Sequence, residues 1–124
     1  MSSIKTIIEN CTRALSEITP ENLTPARLDG SLSILRSFNV NKAIDDYWDM
    51  LPEKPEKEND IPAWEKENHL LGKEINHDLK LFNEELNRVK KMQSALNIPQ
   101  LDTLIDAARE VIRPLYDFSA QLSA

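Results

Sequence analysis

Glycine is almost missing from this chain, with two in 124 residues. So little of it leaves no loop to cradle phosphates and no glycine-flanked nucleophile elbow, and the sequence holds no H-E-x-x-H zinc helix either. Cysteine is rarer still. The single Cys11 can close no internal disulfide and build no zinc cluster, so a reducing compartment, cytoplasm or nucleus, is expected. Long apolar runs are also lacking, since none exceeds two residues. This excludes a membrane-spanning helix, a secretory hydrophobic region and a strand buried on both faces. The first twenty residues carry Glu9 and Glu17 with only two basic side chains, which fits no signal or transit peptide. Basic charge is in deficit overall: fifteen Lys and Arg face twenty-one Asp and Glu, a net charge of −6. Neither a nucleic-acid nor a membrane partner is expected from such a balance.

What is present is helical periodicity. Ile4, Ile7, Ile8, Cys11, Ala14, Leu15 and Ile18 recur at three and four residues and mark one face of a first helix, with Ser2 or Ser3 placed to cap it. Thr24-Pro25 opens a second helix to about Phe38, with Leu28, Ser31 or Leu32, Leu35 and Phe38 inward and Gly30 as a weak point. Asn41 is placed to cap a third, whose apolar side is Val40, Ala43, Ile44, Tyr47, Trp48 and Leu51 and which must stop near Met50. Residues 51–62 hold three prolines and six charged side chains and read as an acidic linker.

Asp60-Ile61-Pro62 and Asn97-Ile98-Pro99 repeat one helix-start signal, an Asx cap with proline two residues later. The first opens a long helix over about 61–96, whose face is Trp64, Asn68, Leu71, Ile75, Leu79, Phe82, Leu86, Val89, Gln93 and Leu96. Gly72 is its only weak point, and Arg88, Lys90 and Lys91 near its end suit its own dipole. The second opens a helix over about 98–122 with Leu101, Leu104, Ile105, Ala108, Ile112, Leu115, Phe118 and Leu122 inward, which Pro114 should kink or end. The expectation is an all-α, elongated bundle of about five helices in a single domain. Residues 1–50 form three short helices, 51–62 the linker, and 63–124 an antiparallel, coiled-coil-like hairpin.

Geometry then points outward. Thirty-six helical residues span about 54 Å, against a diameter of roughly 35 Å for a sphere of this chain length. Leu70, Leu81 and Met92 widen the apolar stripe of the long helix, so a second neighbour is expected, either the first helix or a helix of another protein.

Chemistry is sparse. Cys11 lies on an apolar face, as an inert thiol does. His69 and His77 are eight residues apart and point differently, so they cannot share a metal unaided; Glu74 and His77 match a two-metal spacing that no second copy completes. No enzyme, cofactor or metal is expected. The leading reading is a non-catalytic helical subunit or adaptor of a larger complex, docking on other protein chains through Tyr47, Trp48, Trp64, Leu71, Ile75, Leu79, Phe82, Leu86 and Val89. The other is an acidic inhibitor or immunity-type protein that covers a basic surface with Asp45, Asp46, Asp49, Glu53, Glu56 and Glu58 around Trp48.

Overall fold

A computed structural model of the chain describes residues 4–50 and 61–123, with side chains for all of these except Met50, residues 61–64 and Ser123. The capping serines, the body of the linker with its three glutamates, Leu51 and Asp60 lie outside the described residues. Among the described residues five α-helices follow one another: α1 Ile4–Ser16, α2 Pro25–Arg36, α3 Val40–Met50, α4 Ile61–Leu96 and α5 Pro99–Ser123, with one 3-10 turn at Pro20–Asn22. No strand occurs among the described residues, and the fold is an all-α bundle in which the long helix packs against the C-terminal one.

The two helix-start signals act differently from expectation at one point. Asn97 does not cap α5; it sits in the left-handed region at φ 54° and ends α4, as a short polar side chain can. Pro99 is then the first residue of α5, where a missing N–H costs nothing. The cap of α3 is also shifted, because Asn39 rather than Asn41 accepts the free N–H of Lys42, at 3.1 Å. α2 stops at Arg36, two residues short of Phe38. α4 passes through Gly72 unbroken, and α5 continues past Pro114 to Ser123.

Polar contacts fix the direction of each neighbour. Asn76 of α4 and Ser119 of α5 share a hydrogen bond and lie equally far from the Asn97-Ile98 connection, so the two helices form an antiparallel hairpin in register. Lys5 meets Glu74 at 3.2 Å, and further along Arg88 donates to the carbonyls of Leu15 and Ile18, so α1 runs parallel to α4. The second neighbour of the long helix is therefore α1. α2 closes the other side, its buried Ser31 hydroxyl donating to the Ala14 carbonyl at 3.0 Å, while α3 lies on α5. Ile8, Leu15, Ile75, Leu79, Phe82, Val89, Leu104 and Phe118 are the heart of one continuous core, each contributing about 1.5–3 kcal/mol by leaving water.

Candidate functional site

The nine residues expected to meet a partner fall into two groups. Ile75, Leu79, Phe82, Leu86 and Val89 are fully buried in the chain's own core, between α1 and α5. The seam that looked spare in the sequence is filled from within, since α1 supplies the cover that one neighbour could not. Leu71 and Tyr47 are half-buried, and Trp48 remains 37% exposed. The side chain of Trp64 lies outside the described ones.

Tyr47 and Trp48 lie where α3 rests on α5, and Tyr47 reaches the early part of α4 at Asn68. The rings of Tyr47, Trp48 and Phe118 meet edge to face in all three pairings, with centroids 5.4, 5.1 and 5.5 Å apart, a geometry that adds about 0.5–1.5 kcal/mol per pair beyond burial. The Tyr47 hydroxyl donates to Asn68 Oδ1 at 3.1 Å, and burial raises its pKa. Trp48 is thereby held firmly while part of its surface stays in water. Asp45 and Asp49 beside it are exposed, as is Asp46, which takes Lys42 at 3.0 Å.

The same corner is where α4 outruns its cover. The hairpin register sets Leu122 opposite residue 73, and the Lys5 to Glu74 pair sets Ile4, the first described residue of α1, level with the same point. Residues 61–71 of α4 thus run about 16 Å past the described residues of α1 and α5, with Asn68 and Leu71 half-buried. Among the described residues Tyr47 reaches them, at Asn68. Leu70 is 50% exposed there.

The other candidates resolve into structure. Burial pushes the Cys11 thiol up to about 12, which keeps it protonated and unreactive. Glu74 is engaged with Lys5, whose pKa the bond to Glu74 raises, and does not stand with exposed His77 as a ligand pair. Among the described residues no group of three or more His, Cys, Asp or Glu is placed to hold a metal, and no helix is long and apolar enough to cross a membrane. Arg88 serves a helix end, but that of α1 rather than its own: its guanidinium donates to Ile18 at 2.6 Å, to Leu15 at 2.8 Å and to Glu85 at 2.9 Å.

Open grooves mark the surface of the described residues. One of about 420 Å³ lies between the α2–α3 corner and α5 near Pro114; another, about 270 Å³, runs between α1 and α4 beside Thr12, Asp78 and exposed Leu81. The second holds the buried Oδ2 of Asp78, which has no hydrogen-bond partner among the described residues. Neither groove is lined by a histidine or cysteine that would make a nucleophile and base pair. The sequence reading missed Asn68, Asn76 and Ser119 as contact makers. A signal for Asn68 existed, because a lone amide in an otherwise apolar row requires a partner once buried. No family model, no curated protein and no solved structure matches the chain.

Proposed function

We propose that this chain is a non-catalytic helical subunit or adaptor of a larger protein assembly, and that it engages its partner through the projecting start of α4 and the aromatic corner beside it. The observation that carries this reading is the overhang. Ile4 and Ser123, the described ends of α1 and α5, lie level with residues 73 and 72, yet α4 extends to Ile61 with Leu70 half in water. A free helical end gains little from its own hydrogen bonds, and burial against another chain stabilises it far more. The lone cysteine supports an intracellular setting, cytoplasm or nucleus.

Native purification coupled to light scattering tests this reading. The expected result is a stoichiometric protein partner that is lost in Leu70→Glu while the variant's melting temperature stays that of the parent chain. A monomer with no stoichiometric partner under native conditions overturns it.

A second reading, an acidic inhibitor or immunity-type protein, is favoured by exposed Asp45, Asp46 and Asp49 around Trp48. Leu70→Glu separates the two: it removes a partner docked on the projecting turns of α4, whereas capture by the exposed carboxylates of α3 survives it.

A further inference from the structure

Resting on the adaptor reading, we infer that Trp48 is the receiving surface for an arginine side chain on a cationic segment of the partner protein. Three observations converge on it. The indole is fixed by edge contacts with Tyr47 and Phe118, and Tyr47 is itself tied to Asn68, so the exposed part of Trp48 is presented with little rotational freedom left to lose. The unpaired charge of α3 is of one sign. α3 carries one cation, Lys42, and that cation is taken by Asp46; Asp45 and Asp49 are exposed and form no ion pair among the described residues. Asp117, next in sequence to Phe118, is exposed as well and likewise forms no such pair.

An indole face attracts cations through its quadrupole, and a guanidinium stacks on it flat while its edge N–H groups remain free for carboxylates. An ammonium, compact and strongly hydrated, uses the same site less well. Apolar contact alone would leave Asp45 and Asp49 facing a dry interface unpaired, which is unfavourable. A cationic segment removes that penalty, and arginine uses both the ring and the acids.

The test uses the full chain, with the emission of Trp48 read as the difference between the parent and Trp48→Leu. The probes are three alanine-based helical peptides bearing a leucine and either two arginines, two lysines or two glutamates spaced four residues apart, each also made with a fluorescent label. The arginine peptide is expected to change Trp48 emission and to bind about fivefold tighter than the lysine peptide, as a stacked guanidinium requires. The double variant Asp45→Asn, Asp49→Asn, both at exposed positions, is expected to weaken binding about tenfold, and added salt is expected to act in the same direction.

Equal affinities for arginine and lysine overturn the inference. So does unchanged binding of the labelled arginine peptide to Trp48→Leu, which would mean plain attraction to an acidic surface. Absence of any binding to the folded protein also overturns it. In each of those cases the adaptor reading is decided separately, by whether native purification returns a partner that Leu70→Glu removes.

Discussion

Single side chains do more here than their charges announce. Arg88 looks, in sequence, like one of three basic residues closing the helix that carries it. Its bonds instead reach the carbonyl of Leu15 in the last turn of α1 and that of Ile18 just past it, and hold Glu85 and Met92, so one guanidinium both caps a neighbouring helix end and sets its register along α4. Hydrogen bonds from a charged group to the backbone contribute about 1.5–3 kcal/mol. Arg88→Ala is expected to cost about 2–3 kcal/mol in chemical denaturation, with Arg88→Lys intermediate because an ammonium cannot fork. A loss no larger than that of an ordinary surface change would contradict the capping role.

Cys11 gives a second residue-scale expectation. Burial raises its thiol from the usual 9.0 to about 12, so the folded state favours the protonated form more than the unfolded state does. That contribution is complete below about pH 9 and is lost as pH rises towards about 12. Tyr47, also raised by burial, acts in the same direction. Denaturation at about pH 8 and about pH 10.5 should show the parent chain losing more stability than Cys11→Ala; equal losses would contradict the buried thiol.

At the scale of elements, adjacent positions of α4 should behave as opposites. Phe82 is 1% exposed in the core, while Leu81, one residue away, is 44% exposed beside the α1–α4 groove. Phe82→Asp buries an unpaired charge and is expected to cost more than about 4 kcal/mol, whereas Leu81→Asp is expected to stay within about 1 kcal/mol. Circular dichroism and denaturant titration read both, and similar losses would mean that the helix is turned differently from the fold described.

Helix identity and length were legible because they are local. Apolar spacing, proline at a first helical position and an Asx ahead of it placed α4 and α5 almost to the residue. What packs against what was not legible, because it depends on contacts some seventy positions apart, such as Lys5 with Glu74 and Arg88 with Leu15 and Ile18. The wide apolar stripe correctly implied a second neighbour, and nothing in the spacing distinguished α1 from another protein. Asn97 was misjudged for a similar reason. An asparagine ahead of Ile-Pro suits the cap of the next helix and the left-handed end of the previous one, and backbone geometry decides. The aromatic corner was half legible: Tyr47 and Trp48 stood out in sequence, while their contacts with Phe118 and Asn68 required the fold.

The whole molecule is a short bundle gathered around a rod longer than itself. Its core is closed by its own helices, so the proposed docking falls on what stays outside, the start of α4 and the acidic aromatic corner of α3. Core variants should fail in both stability and binding, Leu70 variants chiefly in binding, and Trp48 variants in binding together with the stability of its ring contacts to Tyr47 and Phe118. The proposal depends on α4 being one straight rod through Gly72. Spin labels placed at Lys66→Cys and Lys91→Cys, both exposed positions, in a Cys11→Ala background measure this directly. Twenty-five residues of continuous helix set the pair about 38 Å apart on nearly the same side, and a single narrow distribution at that distance is expected. A distribution centred well below about 30 Å, or split in two, would show the helix folded back at Gly72 and the overhang absent.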